Sequence, residues 1–251
     1  MQKDVMLRYI GKNKDFNVFE QGVDQDVMEF FHEFKDSLSD EELEISDVDI
    51  DIEELQDDAV SEDFKKLLLV RLSSTDDIKA FRALQKFSSE SAGELQKWSV
   101  VALQQSMAFV EASLSDEERV FIVSGLGGLG DKLRYFSILN TPEKEKLSDW
   151  QIKIIKDELF FSAEMAKGDI EELNVFDSFV SVLCLLPVDK SISEFFKTTV
   201  DNINEMGQFL SENVLVTNTK KFTEEQILEY IDEGPEALFG DDIYPNEISL
   251  D

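Results

Sequence analysis

One cysteine, Cys184, excludes any disulfide within the chain and fits a reducing compartment. One histidine, His32, joined to that single cysteine, excludes a zinc centre built from cysteine and histidine. A Cys–His nucleophile pair is also not expected. His32 falls on the polar side of an amphipathic pattern, whereas Cys184 sits in an apolar run and reads as a small core residue. No apolar run reaches the about 18 residues of a membrane span. The first residues lack the apolar core and small-residue cleavage site of a secretory signal, so a cytoplasmic protein is expected.

Positive charge is also scarce, with 24 Lys and Arg against 55 Asp and Glu and a formal net charge of −31. Phosphate contacts need Lys and Arg, so nucleic acid is excluded as a direct ligand, and an anionic membrane surface with it. The imbalance is uneven. Residues 1–64 carry net −16, residues 222–251 carry net −10 with no base at all, and the stretch between them carries −5. Acidic flanks of this kind suit a basic protein partner. What is present supports a folded chain: 42% hydrophobic residues, 20 of them Phe, enough for a sizeable core.

Residues 24–38 space Val27, Phe30, Phe31, Phe34 and Leu38 at helical intervals behind a capping Asp24. Residues 36–63 then hold fourteen acids and no base. They are expected to form an acidic loop, or an edge strand kept soluble by its charge. Within them Asp47, Asp49 and Asp51 have the D-x-D-x-D spacing that opens a calcium loop and are the weak candidates for a metal site. The pattern breaks at once, with Ile52 where glycine is needed and Asp58 where glutamate is needed. Helices follow from Phe64, from Thr75 and from a Ser91/Glu94 capping box, the last running to about Leu114 as the central buried helix of the half.

Val120–Leu139 joins the two halves. V-F-I-V reads as a strand, Lys132–Leu139 as a second strand paired with it, and the glycines between as their loop. Gly125, Gly127 and Gly130 match a dinucleotide fingerprint by spacing. That fingerprint requires a helix to start at the glycines, and the residues that follow alternate like a strand. A weaker reading keeps Gly125, Gly127, Gly128 and Gly130 as an anion nest, with Lys132 and Arg134 beside it as ligand-binding bases. After Pro142 the pattern is regular: a helix capped by Ser148, strands at 172–176 and 179–186, a helix capped by Ser191, and a strand at 214–217. A short helix capped by Thr223 and an acidic tail complete the chain.

The expected fold class is α+β. A helical half, residues 1–115, precedes a plait-like half, residues 116–221, whose order ββαββαβ contains the split βαβ arrangement of the ferredoxin-like plait. Residues 222–251 form the third region, and an all-helical repeat array is the alternative. The stretch G-L-G-G-L-G-D-K-L-R-Y-F, with Trp98 before it and V-T-N-T-K after it, resembles an uncharacterised family of bacterial proteins. That resemblance implies a bacterial cytoplasmic origin and no activity. The function expected from the residues is a non-enzymatic interaction or regulatory module for a protein partner, without a cofactor and with self-association through a sheet edge allowed. Alternatives are a small-anion sensor at the glycine loop and a carboxylate-metal enzyme.

Overall fold

The computed structural model describes residues 16–114, 120–234, 236–239 and 247–248. They divide between Gly125 and Leu126 into two compact units. The first is mainly helical: β1 (Phe16–Val18), α1 (Gln25–Ser37), α2 (Asp40–Leu43), α3 (Val48–Gln56), α4 (Glu62–Ser73), α5 (Ile78–Glu90), α6 (Gly93–Leu114) and β2 (Val120–Ile122). The core gathers Phe31, Leu55, Leu68, Leu69, Leu72, Leu84, Trp98 and Val101. Each such side chain taken out of water contributes roughly 1.5–3 kcal/mol. Phe31 and Phe34 pack their rings 5.4 and 5.6 Å from Trp98, which turns Phe30 outward to 61% exposure.

Residues 36–63, expected as an acidic loop, hold two helices instead. Ser39 and Glu42 form a capping box at α2, and Asp47 caps α3 by accepting the Asp49 N–H at 3.0 Å. Val48, Ile52 and Leu55 lie at i, i+4 and i+7, so a helix brings all three to the core, with Leu55 fully buried. A strand would have grouped Ile50 with Val48 and Ile52, yet Ile50 is exposed. The helices beyond also start differently from the pattern. Asp77, not Thr75, caps α5, and Ser91 ends that helix rather than capping the next. β2 pairs in parallel with β1, Phe16 opposite Val120, and not with the strand after the glycines. Ser115 and Glu118 have the spacing of a further capping box, which would favour a helix from residue 116, but they lie outside the described residues.

The second unit contains β3 (Gly128–Leu129), β4 (Lys132–Asn140), α7 (Asp149–Met165), β5 (Asp169–Val175), β6 (Phe179–Pro187), α8 (Ile192–Glu205), β7 (Val214–Thr217), α9 (Glu224–Glu233), α10 (Glu236–Phe239) and β8 (Glu247–Ile248). Its sheet runs β5-β6-β4-β7-β8, every neighbour antiparallel, with β3 folded back on β4. The capping boxes at Ser148/Gln151 and Thr223/Gln226 form as their spacing predicts, and Ser191 caps α8. Alternation along the strands builds two cores. Leu139, Val180, Val182, Cys184, Leu186 and Val216 meet Ile155 and Leu159 of α7 and Phe196 and Val200 of α8. Phe136, Ile138, Phe179 and Leu215 face Ile227 and Tyr230 of α9 on the other side of the sheet. The short helix expected behind Thr223 is α9, and it packs on this sheet. The class is α+β, and the strands exclude an all-helical array. Among the described residues no helix is long and apolar enough to cross a membrane.

Candidate functional site

The glycine hairpin places Gly127, Gly128, Gly130, Lys132 and Arg134 together, with Gly125 at the end of the first unit. No helix begins at the glycines; β3 and β4 follow them. Lys132 Nζ pairs with Asp169 at 2.5 Å. Arg134 grips Glu171 through Nε at 2.5 Å and Nη2 at 2.9 Å, and its Nη1 donates to the Leu126 carbonyl at 2.7 Å. The Leu126 N–H is itself given to the Asn218 carbonyl at 2.9 Å. Both bases therefore tie the hairpin and β4 to the acidic strand β5. Cys184 and Tyr135 stand opposite each other on β6 and β4, and burial pushes each up to about 12, so neither is an ionised nucleophile at neutral pH.

The three aspartates of the acidic segment do not converge. Asp47 is spent on the α3 cap, Asp49 pairs with Lys79 at 2.8 Å, and Asp51 points inward to Arg71. Among the described residues no three His, Cys, Asp or Glu are grouped to hold a metal ion.

The structure instead shows a cleft that sequence reasoning missed. It lies within the first unit, has a volume of about 580 Å³, and is lined by Leu43, Ile45, Val48, Arg71, Ser74, Thr75, Asp76, Phe109 and Ser113. Arg71 is a base in the last turn of the otherwise apolar α4, where a cation suits the helix dipole. Its side chain is only 15% exposed. Nε lies 3.3 Å from the buried Asp51 carboxylate, and Nη2 donates to the Glu44 carbonyl at 2.5 Å. The Asp51 contact is an ion pair without a hydrogen bond, Nε being buried with no hydrogen-bond partner, so Nη2 anchors the guanidinium, and no hydrogen bond engages Nη1 among the described residues. Burial raises the Asp51 carboxyl above the ordinary aspartate range, and Arg71 pulls it back down. Leu43, Ile45, Val48 and Phe109 give the cleft apolar walls. Lys35 sits 5.9 Å from the Phe109 ring centroid, its ammonium lowered in pKa by burial. Thr75 Oγ1 accepts the Asp77 N–H at 3.2 Å, which leaves its O–H to donate. The cleft thus sets Leu43, Ile45, Val48 and Phe109 beside Arg71, Ser74, Thr75, Asp76 and Ser113, a mixed lining that contains one guanidinium. The signal in the sequence was Arg71 standing alone within L-L-L-V-R-L.

No family model and no curated protein matches the sequence. Among solved structures, the chain is similar to a candidate transposase of Deinococcus radiodurans, at 21% identity and TM-score 0.36, over 41% of this chain and 91% of that one. It is also similar to a REP-associated tyrosine transposase bound to a REP hairpin, at 11% identity and TM-score 0.32, over 47% and 69%. On this finding the expected non-enzymatic module for a basic protein partner, and the exclusion of nucleic acid, are both set aside.

Proposed function

We propose that the protein binds a small organic carboxylate with an apolar body in the cleft of its helical unit. The observation that carries this reading is the Arg71 guanidinium, 15% exposed, anchored through Nη2 and with Nη1 engaged by no hydrogen bond among the described residues, beside Leu43, Val48 and Phe109. A guanidinium already anchored at one end loses less rotamer freedom on taking a carboxylate, and the apolar residues beside it suit the ligand's apolar body. The second unit is read as a scaffold of the ferredoxin-like plait. The order β5-β6-β4-β7 with α7 and α8 on one face supports that reading. A cytoplasmic location agrees with the single reduced, buried cysteine.

Thermal shift of the full chain against apolar carboxylates tests the proposal. Binding at a hundred times the dissociation constant adds about 2.7 kcal/mol of stability and raises the melting temperature. Phe109→Ala removes a wall and Arg71→Lys removes the planar fork while keeping the charge beside Asp51; each is expected to weaken binding about tenfold or more. A shift that survives both substitutions, or no shift from any apolar carboxylate, overturns the reading. A DNA hairpin runs as a parallel probe, and a shift from it alone would replace the carboxylate with nucleic acid.

A further inference from the structure

Charge decides which carboxylate the cleft accepts. The helical unit is strongly acidic, with 20 acids and 2 bases over residues 13–64, net −18. A ligand with net negative charge approaches against that field, whereas a net-neutral one does not. The cleft also holds an acid of its own. Asp76 lines it, is exposed, and pairs with no cation among the described residues. Some carboxylates of this unit have partners, Asp24 with Lys97, Asp49 with Lys79, Asp51 with Arg71 and Glu94 with Lys66, but Asp76 is the exposed one that lines the cleft. A guanidinium with an open edge, an unengaged carboxylate and apolar walls therefore line the same space.

Resting on the carboxylate reading above, we infer that the ligand is a zwitterion with an apolar side chain, of the α-amino acid class, either free or as a short peptide. Its carboxylate meets Arg71, its ammonium meets Asp76, and its side chain lies between Leu43, Val48 and Phe109. Carrying its own positive charge, such a ligand enters an acidic unit without net repulsion. Asp76 is then a specificity residue: it touches the ligand and separates amino acids from simple acids.

Isothermal titration of the full chain at low salt tests this with matched probes. L-phenylalanine and L-leucine carry both charges. 3-Phenylpropanoate and 4-methylpentanoate lack the ammonium, and phenethylamine lacks the carboxylate. The amino acids are expected to bind about tenfold more tightly than either set, as a charge-assisted contact is lost in each. Asp76→Asn lies on the surface, and its melting temperature without ligand checks that it folds as the parent does. It is expected to weaken L-phenylalanine about tenfold and leave 3-phenylpropanoate unchanged or improved. Leu-Leu in parallel distinguishes peptide from free amino acid by which binds tighter. If 3-phenylpropanoate binds as tightly as L-phenylalanine, or Asp76→Asn changes nothing, the zwitterion inference fails and the carboxylate reading stands. If no probe with a carboxylate binds, the carboxylate reading itself fails.

Discussion

Arg71 and Arg134 make similar ion pairs in dissimilar surroundings. Arg134 lies on the sheet unit beside a glycine hairpin and spends Nε, Nη1 and Nη2 on Glu171 and a carbonyl. Arg71 lies on the helical unit, shares its guanidinium with one buried acid and one carbonyl, and keeps an edge. A positive charge beside glycines looks like a binding site in sequence, yet there the charge holds strands together. A positive charge inside an apolar helix looks structural, yet there the cleft opens on it. The difference teaches that a cation's remaining donors, not its neighbours in the chain, decide whether it can take a ligand.

The largest test of that contrast is Arg71→Ala. It leaves the Asp51 carboxylate buried without its cation and is expected to cost about 3–5 kcal/mol in urea unfolding. A loss no larger than that at Arg134 would make the two arginines equivalent. Two glycines give the next effect, within the sheet unit. A Cβ on Gly168 would stand 2.5 Å from the Leu185 carbonyl oxygen, a backbone atom. Gly168→Ala should therefore cost about 1–3 kcal/mol, because β6 cannot yield without disturbing its pairing with β5. Gly130 has φ +62° and open space around it, so Gly130→Ala pays only the left-handed strain of about 1 kcal/mol. The reverse order would mean the hairpin is held more tightly than the strand contact.

Arg134→Ala breaks a pair whose members are 18% and 28% exposed. It is expected to cost about 0.2–1 kcal/mol in the same measurement and to leave carboxylate binding unaltered. The smallest effect is in pH. Burial raises Asp51 above its ordinary 3.8, so the folded chain holds that proton more tightly than the unfolded chain. Folded protein therefore binds more protons between 3.8 and the raised value, and stability falls as pH rises through that window. In urea melts across this range Asp51→Asn should flatten that slope.

The capping boxes at Ser148 and Thr223 were legible because their rules are local: a hydroxyl, a glutamine three residues on, and an apolar stripe. The strand Lys132–Asn140 was legible because its residues alternate, and Phe179–Pro187 because a short continuous apolar run is stopped by a proline. Residues 47–55 were not, because V-D-I-D-I-E-E-L satisfies period two over its first half and a helical face over its whole length. The partner of Val120 was invisible because it is Phe16, and no local rule reaches that far. The cleft was invisible for the same reason, drawing its lining from residues 43–48, 71–76 and 109–113.

The pairing of Phe16 with Val120 also sets a clock on biosynthesis. At roughly 5–20 residues per second, β1 leaves the ribosome roughly 5–20 s before β2 exists to receive it. The six helices between them emerge in that interval and have time to pack, since helix formation takes microseconds or less. The parallel clasp is then the final stitch of the helical unit, made only after everything it encloses has been synthesised.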